Sequence, residues 1–384
     1  MRVLYISDSK VSTFSENSNA YQQPYNLCKR HECTVITPSK EFIPDEIRSS
    51  AKRIIEYKSN RLFLTLKFYL NTPFEKGTLH IDDFDCIVTD FSEWSCLIVN
   101  RIKKLRTIPW YLVLWDPPFG NRYEIKTSLI YRIEQNIRLR IYNKSIHNCN
   151  KCFAFINKGV INEENLEFRS VSQLVNGVDT DIIARLLNSE EIKKTPYSIC
   201  STGRIRLDKG CKEILDAFEL IGRMYTDSTL TLIGQVDGTL KEKELIEKMI
   251  ESHPYRNRIM VTGRLSFLDT VKTVKNCEIG LHAYSSSRYL YYNHVLKVGE
   301  YQALGTIPIA TRYPGTEDII DNNKNGILID NNSKKCIFEA IDIVFKNKDY
   351  SRSMMKYCIE HISERSWRKV TTRMYSEISA DLGK

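Results

Sequence analysis

Short apolar runs alternate with longer stretches in which apolar residues recur every three or four positions, from one end of the chain to the other. Residues 3–6, 33–36, 86–89, 110–114 and 152–156 are such runs in the first half, and 198–202, 230–233, 259–262, 279–282, 307–310 and 326–329 in the second. A short run with no polar alternation predicts a strand buried on both faces, as in a parallel sheet. The intervening patterns at 211–224, 241–252 and 268–275 predict amphipathic helices. Strand, helix and strand in series is the signature of an open parallel α/β sheet. The series restarts after Leu174-Val175-Asn176-Gly177-Val178-Asp179, where Asn-Gly is a strong turn signal. The pattern therefore predicts two α/β domains, residues 1–175 and 176–350. Residues 351–384 read as a helical segment that packs back on the first domain, with Trp367, Val370, Met374, Tyr375 and Ile378 near helical spacing.

Length agrees, since 384 residues exceed one ordinary core and suit two. A hydrophobic content of 42% and a charged content of 27% are those of a globular chain in water, and no run approaches the roughly 20 apolar residues of a membrane span. The apolar run after Met1 is too short for a signal-peptide core and reads as a first strand. Eleven cysteines are scattered, with Cys149 and Cys152 as the one C-x-x-C pair. Without a second pair or a paired histidine this argues against a zinc site and suits free thiols in a reducing cytoplasm. The net charge is +9; residues 1–175 carry 25 Lys and Arg against 19 Asp and Glu, and the rest 31 against 28. A basic surplus of that size fits nucleic acid, an anionic membrane or a phosphorylated substrate, and equally an ordinary surface.

Two segments carry candidate chemistry. Ser201-Thr202-Gly203-Arg204-Ile205-Arg206-Leu207-Asp208-Lys209-Gly210 follows a predicted strand and opens a helix. Unpaired helix N–H groups with Arg204 and Lys209 beside them suit a diphosphate; a solvated loop fits the same pattern. His294-Val295-Leu296-Lys297-Val298-Gly299-Glu300-Tyr301 predicts a helix from about Leu296 with Glu300 in its first turn. That carboxylate suits a ribose diol, or merely complements the helix dipole.

Taken together, four ordered segments resemble the retaining GT-B glycosyltransferases of family four, well over residues 173–332 and by architecture alone before that. The segments are Gly203-Arg204…Lys209-Gly210, Leu232-Ile233-Gly234-Gln235-Val236-Asp237-Gly238, Val261-Thr262-Gly263-Arg264-Leu265, and Lys297…Glu300-Tyr301…Ala303…Gly305…Pro308. Val175-Asn176-Gly177-Val178-Asp179 is similar to the family's linker. The resemblance implies two Rossmann-like domains facing across a cleft, with the donor on the second and the acceptor on the first. It implies that Arg204 and Lys209 neutralise a donor diphosphate near Gly203 and Gly234. Glu300 would take the ribose, Gly263-Arg264-Leu265 the nucleobase, and the backbone of Val295, Leu296 and Lys297 a phosphate. It implies no metal ion and no cofactor beyond a UDP- or GDP-sugar co-substrate.

Three positions depart from the family pattern. Tyr292 stands where many members have a glutamate, Ser7–Thr13 replaces a glycine pair, and Trp115 occupies the place expected for a histidine over the donor sugar. Asp116, just past a predicted strand, suits a sugar hydroxyl or an acceptor proton, or simply a turn before proline. The polar loop 9–19 is expected to line the acceptor side. Basic residues interleave with apolar ones over 52–76 and 123–158. Both segments suit an anionic membrane and a lipid-linked or glycan acceptor, or surface helices burying one face. The reading is a cytoplasmic or membrane-peripheral, retaining, metal-independent glycosyltransferase of glycan, polysaccharide or glycolipid synthesis, with no nucleic-acid partner. A catalytically silent nucleotide-sugar-binding partner and a GT-B sugar-nucleotide epimerase remain open as alternatives.

Overall fold

The computed structural model describes residues 1–7, 18–37, 43–56, 79–105, 107–116, 129–187, 193–285 and 288–384. They form two compact units, Met1–Asn176 with Trp367–Lys384, and Gly177–Ser366. The chain first passes from one unit to the other inside the Asn-Gly turn.

In the first unit seven parallel strands lie in the order β3-β2-β1-β4-β5-β6-β7. They are β1 (Arg2–Ile6), β2 (Glu32–Thr37), β3 (Arg53–Glu56), β4 (Cys86–Asp90), β5 (Trp110–Leu114), β6 (Lys151–Ala154) and β7 (Val171–Gln173). The central strands β4 and β5 are buried at every position, as runs without polar alternation require. Two strands are additional to those the apolar pattern predicts. β3 opens the first basic segment, the rest of which lies outside the described residues, and β7 is a short polar strand at the sheet edge.

The second unit holds β8 (Thr195–Thr202), β9 (Thr229–Ile233), β10 (Ile259–Val261), β11 (Cys277–His282), β12 (Ile307–Thr311) and β13 (Ile327–Ile329). All are parallel, in the order β10-β9-β8-β11-β12-β13, and all six match predicted runs. Its core packs Ile199, Leu230, Ile279 and Ile309 of the sheet against Phe218, Ile246 and Ile341 of the covering helices.

The C-terminal segment departs from expectation at its start. The helix Lys348–His361 stays with the second unit, because Met354 and Cys358, one turn apart, face that core. Only the helix Trp367–Asp381 joins the first unit. There Trp367 lies 6.0 Å from the Phe155 ring, and the Tyr375 hydroxyl donates to the Gln23 carbonyl at 3.2 Å. Lys151 pairs with Asp381 at 3.0 Å. All eleven cysteines are free, Cys149 and Cys152 both buried.

Candidate functional site

In the second sheet the chain winds outward from β8 to β9 and β10 on one side, and from β11 to β12 and β13 on the other. The C-terminal ends of β8 and β11 therefore flank a topological switch point, where open α/β sheets bind ligands. The residue after β8 is Gly203, whose amide continues the ladder to the Ile233 carbonyl at 2.8 Å. Its φ of +114° is open to glycine and strained for other residues. A β-carbon there would lie 1.9 Å from Lys297 Nζ, so the lysine head rests on the glycine. Gly234, directly after β9, lies against the Gly203 carbonyl.

The loop then carries Arg204 and, through a 3-10 turn over Leu207–Lys209, reaches Gly210 and the helix Cys211–Met224. Strand, loop and helix start follow the expected order. Arg204 is exposed and its guanidinium donates to Asp237 at 3.3 Å. Lys209 Nζ stands 5.4 Å over the Tyr284 ring, and Lys297 Nζ donates to the hydroxyl of the same tyrosine at 3.3 Å. Burial lowers the basicity of both lysines, with the Arg204 charge acting in the same direction, and brings Lys297 to about 8. Buried His282, its ring 3.8 Å from that of Tyr284, is held neutral by burial and then by Lys297 and Lys209. Three cations thus converge beside a glycine, with Asp237 paired to Arg204, Asp208 acting on Lys209, and Glu300 raising the basicity of Lys297.

Glu300 stands on the helix Leu296–Ala303 in its second turn, whereas the sequence pattern places it in the first. Val295 is the N-cap, so the fifth helical residue is already one turn up. Lys297, the second, occupies the turn where the macrodipole disfavours a cation. The helix is tied to β8 through Tyr301, whose buried hydroxyl accepts the Thr202 amide and meets the Thr202 hydroxyl, both at 2.9 Å. Gly280 of β11 makes room, since a β-carbon there would lie 2.4 Å from the Tyr301 ring. Gly263 and Arg264 follow edge strand β10; Gly263 has φ +68° and Arg264 is exposed. Leu265 packs toward a core cluster that includes Tyr301. Tyr292, partly buried, makes an edge contact with the Tyr291 ring at 5.0 Å.

The structure thus brings Gly203, Arg204, Lys209, Gly234, Lys297 and Glu300 together at one switch point, with Val295 and Leu296 at the adjoining helix start. Gly263 and Arg264 stand on the same C-terminal edge of the sheet, beyond β9. Asp116 belongs to the first unit, where it is exposed just past β5. Beside it Trp115 has its indole N–H buried and, among the described residues, without a hydrogen-bond partner. The first sheet has its own switch point, between β1 and β4. There buried Asp90 accepts from Ser7 at 2.9 Å, Ser92 at 3.0 Å and Ser95 at 2.5 Å. Sequence reasoning passed over Asp90, although a carboxylate closing an apolar run is the same signal that singled out Asp116. Residues 8–17 of the polar loop and the Pro117-Pro118 pair lie outside the described residues.

Residues 183–361 match the family model described as glycosyl transferases group 1. A glycosyltransferase of Methanocaldococcus jannaschii, itself uncharacterized, is 23% identical over 311 residues, 77% of this chain and 75% of that protein. Among solved structures, HepE of Anabaena in complex with UDP superposes with a TM-score of 0.73 at 12% identity, over 99% of this chain and 100% of that one. Sucrose-phosphate synthase of Thermosynechococcus elongatus does so with a TM-score of 0.73 at 15% identity, over 99% and 100%. The fold is accordingly of the GT-B type, two Rossmann-like units each wound on a parallel sheet. The second unit belongs to the glycosyl transferases group 1 family, and the chain is a glycosyltransferase.

Proposed function

We propose that the chain moves a sugar from a UDP- or GDP-sugar to a hydroxyl acceptor, with retention and without a metal ion. The observation that carries this reading is the convergence of Arg204, Lys209 and Lys297 on Gly203, at the switch point of the second sheet. In this reading the diphosphate lies over Gly203, Glu300 takes the ribose, and Gly263, Arg264 and Leu265 border the nucleobase. As the bond from sugar to phosphate breaks, charge grows on the leaving diphosphate. Fixed cations and a helix start stabilise that charge more than they stabilise the ground state, which lowers the barrier. The same cations supply what a divalent ion would otherwise supply. Among the described residues no cluster of three His, Cys, Asp or Glu is placed to hold a metal. HepE has been solved with UDP-glucose as well as UDP, which supports a uridine nucleotide among the candidate donors.

The acceptor is assigned to the first unit, with Asp116 at its strand ends, and to glycan or glycolipid synthesis. Part of the second basic segment is the helix Leu129–Asn148, where exposed Ile137, Arg140 and Lys144 lie at helical spacing. No helix among the described residues is long and apolar enough to cross a membrane, so a lipid-linked acceptor would be met at a membrane surface. The direct test of the donor is a melting screen with UDP, GDP and ADP. A nucleotide that binds the folded state raises its melting temperature. A shift with UDP or GDP supports the reading, and no shift with any nucleotide at millimolar concentration contradicts it.

A further inference from the structure

Lys297 is in an unusual position for an ammonium. It is partly buried and lies on the α-carbon of Gly203, and among the described residues its hydrogen-bond acceptor is a neutral phenol, Tyr284, at 3.3 Å. It occupies the first turn of its helix, where the macrodipole opposes it. The groups that face it come from three elements. Glu300 stands one turn along its own helix, Arg204 and Lys209 come from the loop after β8, and His282 and Tyr284 from the end of β11. Of these, only Glu300 is an anion. A cation held this way is short of negative charge, and a phosphate over Gly203 would supply it.

We propose that the Lys297 ammonium is itself a ligand of the donor phosphates and takes up its proton with them, so that nucleotide affinity is linked to pH through this one side chain. The inference rests on the nucleotide-sugar reading and makes the third of its cations a titrating ligand, where the sequence pattern offered only the backbone at this position. Burial holds the free ammonium near a pKa of about 8, with Arg204 acting in the same direction and Glu300 against it. Bound phosphate charge raises that pKa. The sign follows from linkage: the bound state holds the proton more tightly, so affinity is full below the free value and falls as pH rises through it. Arg204 stays charged throughout, and His282, already neutral, contributes no change between pH 7 and 9. Lys209, also lowered by burial, is the competing candidate. The nucleotide's last phosphate ionisation lies near pH 6 and is complete in this window.

The experiment is calorimetric titration of the full chain with UDP, and in parallel with GDP, at pH 7, 8 and 9. Each titration at pH 8 is repeated in two buffers of different ionisation enthalpy. The dissociation constant should rise about tenfold from pH 7 to pH 9, with uptake of about half a proton at pH 8. Lys297→Arg, which stays charged, should flatten the pH profile. Lys297→Met should flatten it and bind weakly at every pH, while Lys209→Arg should keep the wild-type slope. Folding of each variant is checked by melting, and the two Lys297 variants give independent readings should one fail to fold. Binding with no proton uptake, or a slope that survives in either Lys297 variant, overturns the inference and leaves the nucleotide reading intact. A slope abolished by Lys209→Arg alone assigns the proton to Lys209 and equally overturns it. No binding of UDP or GDP at any pH defeats the nucleotide reading, and this inference with it.

Discussion

At Gly203 two demands meet, a positive φ and the near contact with Lys297. Gly203→Ala should displace the flexible lysine head and strain the loop, because an alanine at positive φ costs on the order of 1–2 kcal/mol. We expect nucleotide affinity to fall at least tenfold with a smaller change in melting temperature. Unchanged affinity, measured by calorimetry, would mean that no ligand uses this surface. Gly203, Arg204 and Lys209 were legible in the sequence as one strand-loop-helix turn, whereas Glu300 was singled out through the family resemblance, its own pattern fitting a helix dipole as well. The Lys297 side chain was not. Its environment is made by Gly203 and Tyr284, 94 and 13 positions away, and no local pattern reports on such a meeting.

Among the elements, the helix Leu296–Ala303 owes its position to Tyr301 more than to its own eight residues. The Tyr301 hydroxyl is the acceptor for the Thr202 amide, one residue before Gly203. Tyr301→Phe keeps the ring and strands that amide, at a cost of about 1–3 kcal/mol for an unsatisfied buried donor. The second unit should melt at a lower temperature, and both turnover and nucleotide affinity should drop several-fold as the strand end and helix start lose register. Wild-type melting and activity would show the tie to be dispensable. The apolar pattern predicted the six strands of this sheet because each carries a short apolar run, buried throughout in β11, β12 and β13 and partly exposed, at Met260 and Val261, in edge strand β10. It missed Arg53–Glu56 and Val171–Gln173, a four-residue strand in a basic segment and a three-residue polar strand at an edge, where burial does not write itself into the sequence. It likewise could not say that Met354 and Cys358 face a different core from Trp367 and Tyr375, since spacing gives a buried face and not the identity of its partner.

Across the whole molecule, donor and acceptor functions are assigned to different units, and their variants should therefore separate. Asp116→Asn in the first unit should lower turnover at least tenfold and leave the dissociation constant for UDP within about twofold. An equal fall in both, or in neither, places this residue wrongly. If the first unit meets a membrane, the chain should sediment with vesicles rich in anionic lipid and detach as salt is raised. Binding that is indifferent to lipid charge would remove that assignment. The measurement that bears most directly on the central claim is sugar transfer or donor hydrolysis by Arg204→Ala, Lys209→Ala and the double variant, with folding verified by melting. Each single substitution should cost about a hundredfold in turnover, roughly 3 kcal/mol, with a smaller loss in ground-state binding. The double should cost less than the sum of the two, because the pair acts on one diphosphate. Folded single variants that both keep near-wild-type rates would contradict the account, since the leaving diphosphate would then lie elsewhere.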